Sequence, residues 1–505
     1  MSVREKLNAA MAERILILDG AMGSMVQAYR FQDTGRPPCE QDYRGQRFAN
    51  HTKPLAGCND VLCLTKPEII IGIHEAYLDA GADIIETCSL NSTSAELLNF
   101  GLEGLAYEIS RASAQLARKA VYKFSTSDKP RFAAGSMGPT AKSAAITRDV
   151  DNPQIRQITW DVMEAAYYDN ARGLVDGGAD FLLIETVYDT LNAKAAVHAI
   201  QRLGRESGRD IPIVVSATFT ETGRIYTGQT PEAFCVSMLH ANPLALGLNC
   251  SFGADKLQKP LGQISAFAGC PVCFYPNAGF PDAHGHYTDS PETMAAAAEL
   301  CMKDRLVNII GGCCGSTPAH ISAIAAKARN YGPRPFQKVN GNFTTNHTNN
   351  TNNTNNKSTT NNTNNINAGK RMSKNYLCGT QVLQFDDLRL QPVPWQAALD
   401  RGDFEEAVNI AREAVSADAG KQIKVLAVNA DRAPDPLNTL RNFIFLTMAY
   451  SDLAVFPVLI ESSSRDLIVE GLKCIQGRGI VRYTGASATD EISRIAEEYG
   501  AGFPA

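Results

Sequence analysis

The chain of 505 residues lacks several features that would assign it to a particular class of protein. No apolar run approaches the ~18 residues that a membrane-spanning helix needs, so we expect no membrane insertion. Basic residues are not in excess, with 48 Lys and Arg against 53 Asp and Glu, which disfavours nucleic acid as a partner. The chain begins with mixed charges and no apolar segment, unlike a secretory signal or transit peptide. We therefore expect a cytoplasmic protein whose thirteen cysteines are reduced thiols.

A dinucleotide-binding motif is also lacking, because no Gly-x-Gly-x-x-Gly follows the first apolar run. What the first 335 residues do contain is a short apolar, β-branched run that recurs eight times, each time before a helical pattern. Buried parallel strands have this character. The runs are Ile15–Gly20, Ala82–Thr87, Phe132–Met137, Phe181–Thr186, Ile211–Phe219, Leu244–Ser251, Val272–Ala278 and Val307–Cys314. Eight such units predict an α/β fold of the (β/α)8 TIM barrel type, with a doubly wound open sheet as the alternative.

The composition changes abruptly after the eighth unit. From Asn340 to about Ala368 the chain is almost only Asn and Thr. Such a tract cannot bury enough apolar surface to offset the entropy lost on ordering. We predict a barrel over residues 1–335, a disordered Asn/Thr-rich linker over 336–370 and a second region over 371–505.

The second region repeats the strand and helix rhythm four times. Its strand patterns are Leu377–Leu383, Ile423–Ala430, Phe456–Glu461 and Ile480–Tyr483, and its helix patterns are Phe404–Ser416, Pro436–Tyr450, Ser464–Gln476 and Asp490–Tyr499. Four units make about half a barrel, which leaves sheet edges unpaired. We predict a truncated βα half barrel that must pack against another surface.

Three cysteines follow two of the barrel's strand patterns. Cys250 ends the sixth run, and Cys313 and Cys314 end the eighth, flanked by glycines that permit a sharp turn. Functional residues of a barrel lie at the carboxyl ends of its strands, so these thiols should meet on one face. Three thiolates suit Zn²⁺ and leave a fourth, catalytic position open. The alternative is a set of small buried hydrophobes, which we expect of Cys39, Cys58, Cys63, Cys235, Cys270, Cys273, Cys301, Cys378 and Cys474.

The charge of such a zinc site limits its chemistry. The ion and three thiolates together carry about one negative charge, so the zinc activates water poorly. It can instead hold an incoming thiol as a thiolate at neutral pH, below the free thiol pKa of ~8.5. The pattern favours alkylation of a thiol over hydrolysis.

Two other strand ends offer contacts for an amino acid. Asp19, Gly20 and Ala21 follow the first run, and small residues there let backbone N–H groups approach a carboxylate. Glu185 ends the fourth run and has the charge to pair with an ammonium group. Alternatively, Asp19 and Glu185 cap the helices that follow them.

These stretches together resemble the homocysteine S-methyltransferase family, and more narrowly the N-terminal part of the cobalamin-dependent methionine synthases. The matching segments follow the family's order through residues 10–330: Ile17–Ser24, Gly81–Thr87, Gly135–Thr140, Leu183–Asn192, Gly247–Cys250, Tyr275–Gly279 and Gly311–Pro318. The resemblance implies a barrel with Zn²⁺ on Cys250, Cys313 and Cys314. It also implies that homocysteine is the substrate and joins the zinc through its sulfur.

The resemblance further implies individual substrate contacts. Asp19 and Glu185 would meet the amino group of homocysteine, and the amides of Gly20 and Ala21 would meet its carboxylate. Asn277 matches an asparagine that can occupy the zinc of related synthases before the substrate binds.

Two departures from the family pattern stand out. Cys88 replaces an asparagine after the second strand and places a fourth thiol near the barrel mouth. The second region resembles the folate-binding barrel of the same synthases, most clearly at residues 471–481. Its strand ends differ from those of that folate-binding barrel at Cys378–Gln381, Ala427–Asn429 and Glu461–Ser463. Polar partners for the pterin ring are thereby lost, so we expect that the region does not bind folate.

The leading hypothesis is a zinc-dependent homocysteine S-methyltransferase that forms methionine. Because we find no cobalamin-binding module in the chain, methylcobalamin would come in trans from a separate corrinoid protein. One alternative is a donor of the S-methylmethionine or betaine type. Another is a non-catalytic remnant that binds zinc and homocysteine. The sequence is compatible with a homo-oligomer and does not define one.

Overall fold

A computed structural model describes residues 1–149, 151–283, 285–336, 376–384, 393–418, 423–487 and 489–503. Apart from residue 336, the linker predicted at 336–370 lies outside these ranges. Within them, no helix combines the length and apolar character required to cross a bilayer.

Eight parallel strands form a barrel in the first part of the chain. They are β1 (Leu16–Ile17), β2 (Ile84–Glu86), β3 (Phe132–Met137), β4 (Phe181–Val187), β5 (Ile213–Ala217), β6 (Ala245–Asn249), β7 (Val272–Tyr275) and β8 (Ile309–Ile310). They pair in the order β1-β8-β7-β6-β5-β4-β3-β2. A parallel bridge between Leu18 and Ile84 brings β1 back to β2. The predicted (β/α)8 barrel is confirmed, and the open-sheet alternative is wrong.

Helices surround the barrel and connect its strands. They are α1 (Val3–Glu13), α2 (Met22–Ala28), α3 (Glu40–Arg44), α4 (Leu62–Thr65), α5 (Pro67–Asp79), α6 (Ser94–Leu97), α7 (Ala106–Phe124), α8 (Trp160–Gly177), α9 (Thr190–Ser207), α10 (Pro231–Ser237), α11 (Ala254–Phe267), α12 (Pro291–Lys303) and α13 (Pro318–Ala328). Side chains of Thr159, Asp189 and Thr230 accept the N–H groups that open α8, α9 and α10.

Alternating residues of the strands divide the core into two layers. The inward layer includes Ile84, Leu183 and Ile309, and α1 adds Leu7 and Met11 to this cluster. The outward layer packs against the helices. Towards the carboxyl ends of the strands, the inward positions become polar, and there the candidate site is formed.

The second region contains β9 (Tyr376–Cys378), β10 (Val382–Gln384), β11 (Leu426–Val428), β12 (Val458–Ser462) and β13 (Ile480–Tyr483). Its helices are α14 (Gln396–Asp400), α15 (Phe404–Asp418), α16 (Pro436–Ala449), α17 (Arg465–Leu472) and α18 (Thr489–Glu498). Strands β11, β12 and β13 form a parallel sheet, as expected from their sequence.

The single strand predicted at Leu377–Leu383 is wrong. This stretch is an antiparallel hairpin of β9 and β10. Its turn contains Gly379, where a Cβ atom would lie 2.3 Å from the carbonyl oxygen of Ala454 and 2.5 Å from that of Phe456. The hairpin is therefore packed directly against the main chain that precedes β12.

The second region packs against the α9 and α10 side of the barrel. Three fully buried barrel side chains donate hydrogen bonds to its main-chain carbonyls. The pairs are Lys194 with Ile475 (3.0 Å) and Gly477, Thr190 with Gln476 (3.0 Å), and Gln229 with Gly379 (2.9 Å). We call these contacts the buried joint.

Candidate active site

The three cysteines predicted as metal ligands meet at the mouth of the barrel. The Sγ atom of Cys314 lies 3.9 Å from that of Cys250 and 4.0 Å from that of Cys313. All three sulfurs lie within 4.8 Å of one another, and no other group of three such ligands occurs in the described ranges. The strand-end prediction for these residues therefore places them together correctly.

Tight turns hold the three cysteines in position. Cys250 follows β6 directly and has a φ of +62°, in the left-handed region. Its N–H donates to the carbonyl of Tyr275 at 3.2 Å, and the N–H of Cys313 donates to the carbonyl of Pro276 at 2.7 Å. Both cysteine-bearing turns are thus hydrogen-bonded to the end of β7.

Gly315 shapes the turn after the cysteine pair. Its φ is +80°, and a Cβ atom there would lie 2.2 Å from the ring of Tyr287. The Tyr287 hydroxyl lowers the pKa of the Cys314 thiol. Glycine is therefore required at position 315 for two reasons: the backbone has a positive φ, and the Tyr287 ring occupies the space of a side chain.

The donor set and its spacing fit Zn²⁺. Tetrahedral zinc with Zn–S bonds of ~2.3 Å separates two sulfurs by about 3.8 Å, close to the observed 3.9 and 4.0 Å. The amide oxygen of Asn277 is buried and has no hydrogen-bond partner. The next residue, Ala278, donates its N–H to the carbonyl of Cys314 at 2.9 Å, so this oxygen belongs to a segment bound to the cysteine turn.

The three thiols hydrogen-bond to one another and hold their protons unequally. Hydrogen bonds from Cys250 and Cys313 lower the pKa of Cys314 to about 3. The hydrogen bonds with Cys250 and Cys314 raise the pKa of Cys313 well above its ordinary value. The cluster thus stabilises one thiolate on Cys314, the form in which a cysteine binds a metal.

Asp19 and Glu185, predicted as substrate contacts, are both buried at strand ends of the barrel. Neither caps a helix, because the residue that precedes α2 is Ala21 and the cap of α9 is Asp189. The capping alternative is therefore wrong. Oδ2 of Asp19 accepts the backbone N–H of Glu86 at 3.0 Å, and Glu185 accepts a hydrogen bond from the Ser136 hydroxyl.

Glu86 is a third carboxylate at the site, half-buried, that the sequence analysis did not select. It ends β2 two residues after the inward-facing Ile84, so the strand alternation directs it into the barrel. Its Oε1 atom and Oδ1 of Asp19 are buried and have no hydrogen-bond partner. The sequence could have identified Glu86, because a carboxylate two residues after an inward-facing apolar residue also faces the barrel interior.

Burial raises the pKa of all three carboxyl groups, and a neighbouring negative charge adds to each shift, that of Cys314 for Glu185 and those of other carboxylates for Asp19 and Glu86. Burial raises the pKa of Glu185 to about 7, although the hydrogen bond from Ser136 opposes the shift. Burial, together with the charge of Glu185, also raises the pKa values of Asp19 and Glu86 well above their ordinary range. A cationic group between them would relieve the repulsion and favour their ionised forms.

The turn predicted to bind a carboxylate lies beside Ser316, another residue that the sequence analysis did not select. The N–H of Ala21 donates to Oγ of Ser316 at 3.2 Å. A Cβ atom on Gly20 would lie 2.6 Å from the same oxygen and 2.9 Å from the hydroxyl of Tyr77. The backbone at Gly20 therefore approaches these groups more closely than any side chain would allow.

Cys88 does not join the cysteine cluster. It is buried, and its thiol donates to the carbonyl of Asn59 at 3.6 Å. The thiol of Cys63 donates to the carbonyl of Cys88 at 3.5 Å. Of the cysteines expected to act as small hydrophobes, Cys39 and Cys270 are half-buried and the rest are buried.

Comparisons with known proteins give a family match over the barrel and several similar solved structures. The family model for homocysteine S-methyltransferase matches residues 16–328. Crystal structures of the homocysteine methyltransferase MmuM from Escherichia coli are similar to this chain. The oxidized form is 23% identical with a TM-score of 0.47, and the metallated form is 24% identical with a TM-score of 0.47. Each match covers 62% of this chain and 96% of the MmuM chain.

The matched segment begins at β1 and ends with the last helix of the barrel, and includes all three cysteines. It spans more than half of the 505 residues. The chain therefore belongs to the homocysteine S-methyltransferase family.

Proposed function

We propose that this chain uses zinc to transfer a methyl group to the thiol of homocysteine, forming methionine, with methylcobalamin supplied in trans by a corrinoid protein. The observation that carries the proposal is the cluster of three sulfurs within 4.8 Å at the barrel mouth. The sequence resemblance to cobalamin-dependent methionine synthases favours the corrinoid donor over other methyl donors.

Cys250, Cys313 and Cys314 would hold the zinc ion. When bound, zinc lowers the pKa of a thiol that joins it, so that the sulfur of the substrate is a thiolate at neutral pH. Around it, the chain supplies a rigid frame. The turns that carry these cysteines are hydrogen-bonded to the end of β7, which limits their movement.

The amino acid part of homocysteine would lie against the barrel end. Asp19 and Glu185 would accept hydrogen bonds from its ammonium group, and Gly20 and Ala21 would direct their amides to its carboxylate, which requires the Ala21 N–H to exchange Oγ of Ser316 for the substrate. Asn277, whose amide oxygen is buried without a partner, would lie beside the sulfurs and give way to the substrate thiol. A hydrogen bond between charged groups contributes about 1.5–3 kcal/mol, enough for these contacts to fix the sulfur in place.

The methyl transfer itself would be an in-line displacement. The thiolate of homocysteine attacks the methyl carbon, a C–S bond forms, and the bond between the methyl group and the donor breaks. The electron pair of the broken bond remains with the donor. The thiol proton must leave before this step, and the site supports its loss by stabilising anionic sulfur.

We further propose that residues 1–335 are the catalytic domain, that 336–370 tether it, and that 371–505 are a partial βα barrel with a scaffolding role. Polar side chains at strand ends of this region already bind one another. Glu461 accepts hydrogen bonds from Asn429 at 3.2 Å and from Arg482 at 2.8 Å. This internal pairing favours a region that packs on the barrel over one that binds folate.

The test is methionine formation by purified, zinc-loaded protein. Homocysteine would be offered with methylcobalamin and, in parallel, with S-methylmethionine or betaine, and Cys313→Ser would serve as the inactive control. Methionine from methylcobalamin alone would support the proposal. Product from S-methylmethionine or betaine alone would identify that compound, in place of methylcobalamin, as the methyl donor. Zinc and homocysteine binding without product from any donor, even with a corrinoid protein added, would favour the non-catalytic alternative.

A further inference from the structure

The side chain of Asn249 contacts one of the three sulfurs, and nothing in the proposed function uses it. Asn249 is the last residue of β6 and is fully buried. It lies four residues after the inward-facing Ala245, so the alternation of the strand directs its amide into the barrel. Its Nδ2 atom donates to the Sγ atom of Cys313 at 4.0 Å. An amide N–H group therefore faces a candidate zinc ligand from the barrel interior.

Three further hydrogen bonds fix the orientation of this amide. Its Oδ1 atom accepts the backbone N–H of Thr186 at 3.0 Å and the hydroxyl of Ser216 at 2.7 Å, and its Nδ2 atom donates to Oγ1 of Thr186 at 2.7 Å. A backbone N–H can only donate, so the amide atom that it meets is the oxygen, and the atom that faces Cys313 is the nitrogen. Strands β4 and β5 thus hold the amide with a donor directed at the sulfur.

Methyl transfer at such a site has a selectivity problem that a donor of this kind can solve. The substrate sulfur and three cysteine sulfurs would lie within reach of the same methyl donor, and every thiolate is a nucleophile. Attack by a cysteine would form a C–S bond at its Sγ atom, leave the electron pair of the broken bond with the donor, and convert the ligand to a thioether. A hydrogen bond to a thiolate stabilises its electron pair and lowers its nucleophilicity.

We propose that Asn249 is a positioning residue that holds Cys313 as a metal ligand and protects its sulfur from methylation. This inference rests on the proposed function, since it takes zinc and a methyl donor as the setting. Both N–H bonds of the Asn249 amide are already used, one on Thr186 and one on Cys313. The amide therefore has no donor left for the substrate sulfur, which keeps its full nucleophilicity while that of Cys313 is lowered.

The experiment compares alanine substitutions of two buried asparagines. Asn249→Ala removes the donor to Cys313. Asn308→Ala is the matched control, because Asn308 is also fully buried and its amide is hydrogen-bonded to the main chain of Val272 and Arg334 at the amino end of β8. Both variants and wild type are loaded with zinc, their metal content is measured, and they are treated with methyl iodide in the absence of homocysteine. Tandem mass spectrometry then gives the rate of methylation of each cysteine.

In Asn249→Ala, we expect the methylation rate of Cys313 relative to that of Cys314 to rise by about 10-fold, the effect of losing one hydrogen bond to a charged group. Zinc affinity, measured by chelator competition, should fall by about 10–100-fold, as it does when other partners of metal ligands are removed. With Co²⁺ bound in place of zinc, the sulfur-to-metal charge-transfer band should move to longer wavelength, because the Cys313 sulfur releases its electrons more easily. Asn308→Ala should keep the ratio, the affinity and the band of wild type.

The outcomes distinguish this inference from the function on which it rests. Wild type that retains no zinc after loading would overturn both. Zinc-loaded wild type and Asn249→Ala with the same ratio of Cys313 to Cys314 methylation would overturn the role of Asn249 alone. If Asn249→Ala does not fold, Ser216→Ala replaces it, because this change keeps the amide and removes a donor that orients it. We expect Ser216→Ala to raise the same ratio several-fold, and an unchanged ratio would count against the protection of Cys313.

Discussion

At the scale of single residues, the three sulfurs of the candidate zinc site depend on one another. Hydrogen bonds from two thiols stabilise the thiolate of Cys314. Removing one sulfur therefore changes the other two as well as the number of ligands. We therefore expect that loss of one of the three sulfurs abolishes zinc binding rather than weakening it in part.

We predict that Cys314→Ser loses bound zinc and lowers methionine formation by more than about 100-fold, since outer-shell changes alone cost metal sites 10–100-fold. Zinc content by atomic emission and the rate of product formation are the measurements. Cys39→Ser is the control, because Cys39 is the N-cap of α3 and serine is a good residue for that position. Zinc retained at one equivalent in Cys314→Ser would contradict the ligand assignment.

The sequence allowed the cysteines to be selected and did not allow Glu86 to be. Thiols at strand ends are uncommon enough to suggest chemistry from their positions alone. A glutamate near a strand end is ordinary, and what distinguishes Glu86 is that the charges of Glu185 and Asp19 raise its pKa. This proximity arises only when the strands close into a barrel, which no local pattern specifies.

At the scale of elements, the turn after β8 sets the orientation of Cys313 and Cys314. We predict that Gly315→Ala destabilises the protein by at least ~1–3 kcal/mol and weakens zinc binding, because a Cβ atom meets the Tyr287 ring and the positive φ is strained. Chelator competition and thermal unfolding measure the two effects.

Gly223→Ala provides the comparison for that substitution. Gly223 also has a positive φ, +72°, but nothing lies within 4 Å of the position of its Cβ. It should lose about 1 kcal/mol from backbone strain and keep its zinc affinity. Equal zinc affinity in both variants would show that the turn after β8 tolerates a side chain.

Strand positions could be predicted from the sequence better than strand lengths. The first apolar run covers Ile15–Gly20, whereas β1 spans only Leu16–Ile17, and Leu18 adds a single bridge to Ile84. The backbone of Asp19 is still hydrogen-bonded to Ile84 and Gly312, and its side chain lies in the active site. The hairpin at residues 376–384 was missed for a different reason: its turn is set by contact with Ala454 and Phe456, far away in the sequence.

At the scale of the whole molecule, Lys194 is the most unusual part of the buried joint. It is 1% exposed, and among the residues that the structure describes its ammonium group binds two main-chain carbonyls and no carboxylate. Burial lowers its pKa to about 7, with Cys378 and Arg478 as the neighbouring groups that act on it. A free lysine has a pKa of ~10.4, so between these values the unfolded chain holds a proton that the folded chain has lost.

The contribution of Lys194 to stability should therefore rise with pH above about 7. We predict that the free energy of unfolding of wild type, minus that of Lys194→Met, increases by up to ~1.4 kcal/mol per pH unit between pH 7 and 10. Urea unfolding at several pH values measures it. The exposed Lys119→Met is the control and should follow wild type, whereas a Lys194→Met profile parallel to wild type would argue against the shifted pKa.

The buried joint should also hold without a covalent connection. We predict that residues 1–336 and 371–505, coexpressed as separate chains, purify together, because separation would expose their buried contact surface to water and break the hydrogen bonds that Lys194, Thr190 and Gln229 make to the second region. Gln229→Ala in the first chain should weaken their association by about 10-fold. Size-exclusion chromatography of the pair is the measurement, and two independent peaks would disprove the prediction.

The buried joint has one more consequence, which concerns how the two parts can diverge. At its centre the barrel contributes side chains, while residues 379, 475, 476 and 477 contribute backbone carbonyls. Every amino acid has a carbonyl, so substitutions at Ile475 and Gln476 keep the acceptors. Gly379 and Gly477 differ, because a Cβ atom there would lie 2.3 Å from the carbonyl oxygen of Ala454 and 1.9 Å from that of Cys378. Change at other positions of the second region can therefore leave it attached to the barrel, whereas the two glycines and the barrel side chains Lys194, Thr190 and Gln229 carry the selective burden of keeping the two parts together.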